Sequence, residues 1–326
     1  TGFDATEALK LPGVSQVVAL DGGIAAIART TWAAMQALDV VQVTWAPPET
    51  PVTDDVLDDD LRLALESDPD STPKDTGDAT AGDFTAEYTV PHLAHATMEP
   101  MSAAAVLADG RLQLWAGSQF PTMARTVAAE AAGVTPEQTD MHTELMGGGF
   151  GRRSEMDFIR QAAALAKLLS PTPVLLTWSR EEDTIQDMYR PAAMARIRAA
   201  VADGMVSHFH LATAAASITA SMAGRLGFPA AGPDSTITQG AGEQPYAFPN
   251  YRVTGHRATG RLPVGFWRSV GASQNAFFHD SAMDELAYLA GVDPILFRIR
   301  QMNHLPSINV LETVGQISGW GNAAPG

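Results

Sequence analysis

The residues able to do chemistry gather in three short stretches. The first is MGGGFGRRS, Met146 to Ser154, which follows a β-patterned run and precedes a helical one. Glycine has no Cβ, so the four glycines among residues 147–151 let the backbone come close to a ligand. A helix starting just beyond them presents unpaired N–H groups and a partial positive charge, and Arg152 and Arg153 add planar fork donors. That combination suits a pyrophosphate or another anionic cofactor group. The plain alternative is a glycine-rich turn joining strand to helix. Two familiar phosphate motifs do not fit. A P-loop needs a Lys after its glycines, and the dinucleotide fingerprint needs G-x-G-x-x-G, whereas this run is G-G-G-F-G. The second stretch is GFWRSVGASQN, Gly265 to Asn275, a bend holding Phe266, Trp267, Arg268 and Gln274 ahead of a helix. Alone it reads as a packed loop with a surface Arg. The third is WAGSQF, Trp115 to Phe120, at a strand end and a helix start, where Gln119 sits as a capping side chain would.

Composition removes several classes of function. The chain carries 21 Lys+Arg against 37 Asp+Glu, a net charge of −16. Nucleic-acid binding needs clustered cations to displace counterions, and no basic run exceeds Arg152-Arg153. The same deficit argues against anionic membrane surfaces, and no apolar run approaches the ~20 residues that span a bilayer. There is no cysteine. Disulfides, thiolate zinc sites, a Cys nucleophile and Cys-held iron–sulfur clusters are therefore excluded from this polypeptide. His208 and His210 share a strand face without an evident third ligand, and no G-x-S-x-G elbow is present. The opening TGFDATEALKLPG has neither a basic n-region nor an apolar h-region, which leaves cytoplasm and periplasm both open.

The elements that must position these stretches alternate between strand and helix. Val14 to Leu20 and Ile24 to Ile27 flank the turn Asp21-Gly22-Gly23. Thr30-Thr31 caps a helix to Leu38 with Trp32, Met35 and Leu38 on one stripe, and Val41 to Trp45 is a strand. Residues 49–82 crowd aspartates and end in STPKDTGDATAG, which predicts a short solvated acidic helix and a flexible linker. Strands are then predicted at 84–90, 103–107, 112–115, 139–145, 174–178, 196–201, 205–216 and 251–256. Helices are predicted at 121–132 (closed by Gly133), 155–169, 275–290 and 294–302.

Taken together, the stretches resemble the molybdenum-binding subunit of the xanthine dehydrogenase/aldehyde oxidase family, above all its isoquinoline 1-oxidoreductase beta-subunit branch. HATMEPM (His95 to Met101), MGGGFGRR, DMYRPAA (Asp187 to Ala193), YAFPN (Tyr246 to Asn250), GFWRSVGASQN and Asp284-Glu285-Leu286-Ala287 with Asp293-Pro294 carry the resemblance over nearly the whole chain. It implies an α/β (α+β) fold. Residues 1–48 would be the later part of a hammerhead-like domain, 49–82 an acidic linker, and 83–326 the first half of a molybdopterin-binding, aldehyde-oxidase-type region.

The resemblance also implies roles. Gln119 matches the Gln whose amide hydrogen-bonds an oxygen ligand of molybdenum, so the metal has no direct protein ligand. Gly148, Gly149, Phe150, Gly151 and Arg152 match the loop against the molybdenum centre and pterin, with Phe150 acting through its backbone. Arg268 matches the Arg of the second cofactor loop, and Gln274 falls near the pterin or its nucleotide tail. The implied cofactor is molybdenum–molybdopterin cytosine dinucleotide, with a 2Fe-2S cluster in a small iron–sulfur partner subunit. Ser154 stands where purine-oxidising members carry a Glu, Val270 where they carry an aromatic, and Ile237 near their purine-contacting Arg. The implied substrate is thus an isoquinoline-like N-heterocycle or an aldehyde, oxidised with water as the oxygen source.

The family's catalytic Glu follows a later Gly-Val-Gly-type loop, and the sequence stops at Gly326 before one. The expectation is a fragment, inactive alone, with its catalytic residue elsewhere in the parent subunit. A second reading is a non-catalytic binding or assembly module of the same ancestry, without cofactor. A third, a generic nucleotide-binding α/β protein, requires ATP or NAD to bind at Gly147–Gly151. A calorimetric titration showing no binding removes that third reading.

Overall fold

The computed structural model describes residues 2–79, 81–227 and 229–321. Chain contacts divide it into two units, each assembled from two separate stretches: Thr1–Pro51 with Ala94–Met188, and Val52–Leu93 with Tyr189–Gly326.

The chain begins with β1 (Gly2–Asp4), β2 (Val14–Leu20), β3 (Gly23–Ala28), α1 (Thr31–Val40) and β4 (Gln42–Thr44). β2 and β3 form the expected hairpin, and β1 pairs antiparallel with β4. The Thr30 side chain caps α1 by accepting from Ala33 N at 3.2 Å. The predicted apolar stripe does not face a core. Trp32 is 70% exposed and Leu38 is exposed, while Ala37 is buried.

The next elements are α2 (Asp54–Glu66), β5 (Ser71–Thr76) and β6 (Phe84–Val90), all in the second unit. Here the linker expectation is corrected. α2 is amphipathic rather than wholly solvated, burying Leu61 and Ala64, and its buried Asp60 pairs with Arg261. Residues 71–76 are an edge strand paired antiparallel with the strand carrying Tyr251. Their polar sequence, STPKDT, misled the reading. An edge strand needs only backbone N–H and C=O to pair, and charged side chains there discourage further pairing.

The chain then returns to the first unit with β7 (Ser102–Ala108), β8 (Arg111–Ala116), α3 (Pro121–Ala132), β9 (Thr139–Thr143), α4 (Asp157–Leu168), β10 (Val174–Thr177) and the short α5 (Arg180–Ile185). The sheet order is β10-β7-β8-β9, antiparallel except for the parallel pair β8–β9, whose crossover contains α3. Gly133 closes α3 in the left-handed conformation, φ +77°. The first unit thus delivers Gln119 just after β8 and the glycine bend just after β9, at the same ends of two neighbouring parallel strands.

The second unit is completed by β11 (Ala193–Ala202), β12 (Met205–Ala216), α6 (Ile218–Leu226), β13 (Asn250–Ala258), α7 (Ala272–Ala290), α8 (Pro294–Ile299) and α9 (Leu305–Ile317). Its sheet runs β5-β13-β12-β11-β6, with β12–β13 the parallel pair. One face packs Ile197, Phe209, Leu211, Tyr251 and Val253 into a core with Phe278, Met283 and Leu286 of α7 and Phe297 of α8. On the other face, α2 sets Leu61 and Ala64 against Met194, Ala214 and Ala258.

His279 of α7 is fully buried in that core, its Nε2 3.0 Å from the Tyr251 hydroxyl. Burial first, then the Arg298 charge, push its pKa down from 6.5 to about 3, so the folded chain holds it neutral. Below its ordinary pKa the unfolded chain binds the extra proton, so stability falls as pH drops through 6.5 toward 3. Between pH 7 and 5 this group alone should remove about 2 kcal/mol. The His279→Phe variant should lose that part of the slope in urea denaturation at the two pH values. The Tyr251 hydroxyl keeps its bond to the Ala241 carbonyl in that variant.

Candidate cofactor site

The glycine bend needs its glycines for two separate reasons. Gly148 and Gly151 take φ of +100° and +112°, which a side chain resists. At Gly149 the reason is close approach, since a Cβ there would lie 2.6 Å from Gln119 Oε1 and push that side chain out of its place against the bend. Phe150 is itself left-handed (φ +55°) and 43% exposed. Gln119 and the bend are therefore in direct contact. Gln119 N donates to Arg153 O at 2.9 Å, and its Oε1 accepts from Gly151 N at 2.9 Å. Its amide NH2 has no partner among the described residues, and neither do the backbone N–H groups of Gly148, Gly149 and Phe150.

Glu99 and Arg153 hold this bend. The Glu99 carboxylate accepts from Gly147 N and from Arg153 Nη2, each at 2.8 Å, while Glu99 N donates to Gly147 O at 3.0 Å. The fully buried Arg153 guanidinium also donates to the carbonyls of Gly148 (2.9 Å), Glu99 (3.1 Å) and Gly117 (3.4 Å). A Cβ on Gly147 would stand 2.4 Å from Glu99 Cβ, so the two backbones meet only because position 147 is bare.

Arg152 is buried as well, in a second network. It makes a forked pair with Asp157 (3.1 and 2.7 Å), and its Nε lies 3.3 Å from Asp187 Oδ1. Its guanidinium also lies over the Trp178 ring at 5.4 Å. Asp187 accepts from His95 N at 2.5 Å and faces His95 Nδ1 at 2.8 Å. Burial opposes the charge on Asp187, but the His95 hydrogen bond and the His95 and Arg152 charges outweigh it and hold the carboxyl below its ordinary range.

Two expectations about the anion site change here. The guanidiniums of Arg152 and Arg153 turn inward onto carboxylates and carbonyls, with Arg152 Nε 3.3 Å from Asp187 Oδ1 but without a hydrogen bond, so neither is a free fork. An α-helix does not start at the bend either. A single 3-10 turn, Arg152–Ser154, intervenes, and α4 begins at Asp157, whose own carboxylate accepts from Phe158 N. What the bend offers a ligand is its unpaired backbone N–H groups and the Gln119 amide. Ser154 is half-buried in the 3-10 turn, its N–H donating to Gly151 O.

The second loop belongs to the second unit. Ser269 and Val270 are both left-handed (φ +70° and +49°), and a Cβ on Gly271 would fall 1.9 Å from Thr236 O. Arg268 is exposed with no partner among the described residues. Arg190 stacks over Trp267 at 5.8 Å and donates to Ser273 Oγ, fixing the loop's flanks. Gln274 is buried with its Oε1 unpartnered, and so is Asn275, whose amide NH2 holds the Ile237 and Gln239 carbonyls. Unsatisfied buried acceptors are uncommon and mark places where a donor belongs. Ile237 is buried in the core of this unit.

Glu99 and His95 stood in the quoted motif HATMEPM, which gave no sign of the groups they hold. Asp187 stood in a quoted motif without an assigned task. Glu99→Ala should destabilise the chain by about 1–3 kcal/mol, because it strands a buried guanidinium beside a half-exposed partner. Glu99→Gln, which still offers an acceptor to Gly147 N–H, should lose less. Chemical denaturation of both variants, each combined with Arg153→Met in a double-mutant cycle, measures the coupling.

A family model described as the molybdopterin cofactor-binding domain matches residues 72–303. The chain is 28% identical to the isoquinoline 1-oxidoreductase subunit beta of Brevundimonas diminuta, covering 97% of this chain and 43% of that protein. It is 31% identical to the aldehyde oxidoreductase molybdenum-binding subunit PaoC of Escherichia coli O157:H7, over 78% and 37% respectively. The chain thus spans less than half the length of these relatives. In fold it resembles the aldehyde oxidoreductase of Desulfovibrio gigas, with a TM-score of 0.72 at 19% identity, over 97% of this chain and 41% of that one. With the match beginning inside β5 and running through both candidate loops, the chain belongs to the molybdopterin cofactor-binding domain family.

Proposed function

We propose that this chain forms the first cofactor-holding part of a molybdenum hydroxylase large subunit. The observation that carries this reading is the Gln119 side chain. Gly151 N–H fixes its amide oxygen, which leaves the NH2 end free to donate to a ligand. A Gln positioned by packing and by its acceptor end is a preorganised donor, and it loses little rotamer freedom when it acts. The residues of the first unit fit a pterin-borne metal group in this sense: a rigid bare-backbone bend, unpaired N–H groups and one directed amide.

In the proposed arrangement, the Gly148, Gly149 and Phe150 N–H groups and Gln119 Nε2 donate to acceptor atoms of molybdenum–molybdopterin cytosine dinucleotide. Gly151 and Arg152 shape the bend, with Arg152 acting from behind through Asp157 and Asp187. Arg268 offers a cation and backbone donors, and Gln274 offers a buried amide toward the pterin or its nucleotide tail. When bound, the cofactor supplies a two-electron oxidation that takes its oxygen from water. Ser154 and Val270 are the proposed substrate-pocket positions. With neither a carboxylate nor an aromatic ring there, they favour an N-heterocycle or an aldehyde over a purine. We assign no catalytic residue within residues 1–326 and place the proton-abstracting carboxylate elsewhere in the subunit, so the chain alone is inactive. In this reading the 2Fe-2S clusters that receive the electrons sit in a small partner subunit, in keeping with the absence of cysteine from residues 1–326.

The test uses the whole subunit co-produced with its partner. Wild type should contain molybdenum by mass spectrometry and release CMP on acid hydrolysis. It should also oxidise isoquinoline or an aromatic aldehyde. Gln119→Ala should fold, keep most of its pterin and lose activity by roughly 10²-fold, the size expected for one directed donor. Protein lacking molybdenum and pterin would instead support the non-catalytic module.

A further inference from the structure

The five-stranded sheet of the second unit has a second face that α2 covers only in part. Side chains at alternate positions point to this face, away from the Phe209–Tyr251 core. Under α2 it is closed by Met194, Ala214, Ala258 and the buried His256. The next polar row is Arg196, held by Glu66 and by Glu87, the latter at 2.9 Å. One row further on, the register aligns Thr85, Arg198, His210, Arg252 and Asp75 across all five strands.

This row is unlike the rest of the surface. In a chain of net charge −16, it sets an imidazole directly between two arginines. Neither Arg198 nor Arg252 has a carboxylate partner among the described residues, and Arg252 Nε is buried with no hydrogen bond at all. Asp75, at the row's end, makes no ion pair with its neighbour Arg252. His210 Nε2 lies at hydrogen-bond distance, 3.2 Å, from Thr254 Oγ1, and Nδ1 has no partner among the described residues.

We propose that Arg198, His210 and Arg252 form a binding site for a phosphate-class oxyanion, free or carried on a small phosphomonoester. Neighbouring strands are about 4.8 Å apart, so the arginines stand about 10 Å apart, and their long arms can close over the imidazole onto one tetrahedral ion. The cations are one row deep. The rows on either side offer Arg196, already paired, and then Ala200, His208 and Asn250. That depth suits a single ion rather than an extended acidic segment. His210 itself reports the local field. Burial, then Arg252, His256 and Arg198, hold its pKa down at about 4 against the opposing Asp75, so a bound anion would raise it.

The experiment follows the His210 ring protons by NMR at pH 6 in the whole chain, at fixed ionic strength. Inorganic phosphate should shift them saturably with uptake of protons. Arg198→Ala and Arg252→Ala should each weaken binding about tenfold, with Arg62→Ala as a neutral control. Glycerol 3-phosphate binding as well as phosphate assigns the site to a phosphomonoester; phosphate alone assigns it to the free ion. Melting curves show whether the variants remain folded, and Arg198→Lys should recover part of the affinity if Arg198→Ala is unstable. Equal shifts with chloride, unchanged affinity in both Ala variants, or binding of poly-glutamate without phosphate would overturn the proposal.

Discussion

A bend made mostly of glycine has no conformational preference of its own, so something outside it must choose its shape. In this protein that constraint is the Glu99–Arg153 pair. One buried guanidinium reaches the carbonyls of Gly117, Gly148 and Glu99, which belong to three separate stretches of chain. Glu99 returns the charge and takes the Gly147 N–H as well. The segment before β7, the end of β8 and the bend after β9 are thereby tied at one point. Gln119 follows Gly117 by two residues, so its place against Gly149 and Gly151 is a consequence of this tie. Without it, the directed amide and the unpaired N–H groups would have no common frame.

Arg152 shows the same logic one residue earlier. Burying a guanidinium is expensive unless carboxylates and hydrogen bonds surround it, and a well-packed apolar residue is often no less stable. Asp157, Asp187 and the Trp178 ring supply that surrounding, and His95 braces Asp187 from the other side. The pair of arginines therefore acts as two pegs driven inward from consecutive positions. Each pins the 3-10 turn that separates the bend from α4. A free helix end would leave the bend able to unwind into the helix; the pegged turn does not.

Much of this was legible in the sequence, and the failures have physical causes. Strands such as Val14–Leu20 and Met205–Ala216 and the helix Pro121–Ala132 announced themselves through β-branched runs, periodicity and the Gly133 stop. Gln119 and the glycine bend were brought together only by the cofactor that the family resemblance implies, because nothing in either stretch shows that β8 and β9 pair in parallel. Residues 71–76 did not announce themselves, because an edge strand is recognised by what its backbone pairs with and not by its side chains. The inward turn of Arg152 and Arg153 was equally hidden. Their partners Glu99, Asp157 and Asp187 lie at separations of −54, +5 and +35 along the chain, and nothing local distinguishes a pegged arginine from a solvated one.

Backbone strain recurs in both candidate loops, each within its own unit. Six described non-glycine residues have positive φ. Asp109 and Asp203 precede Gly110 and Gly204 in tight hairpins, where that conformation is ordinary. The other four are Ala96, Phe150, Ser269 and Val270, and every one falls inside a stretch that carried the family resemblance. A β-branched Val in the left-handed region is a true outlier, and each such residue costs of order 1–3 kcal/mol unless its surroundings over-determine it. For Phe150 the surroundings are the Glu99–Arg153 clamp. For Val270 they are the short bonds Val270 N to Trp267 O and Ala272 N to Ser269 O, and the contact of Gly271 with Thr236. Of the four, Phe150 has an N–H without a partner among the described residues, which suits the proposed cofactor contact, whereas Val270 turns its N–H back onto Trp267 O and so serves the shape of its loop.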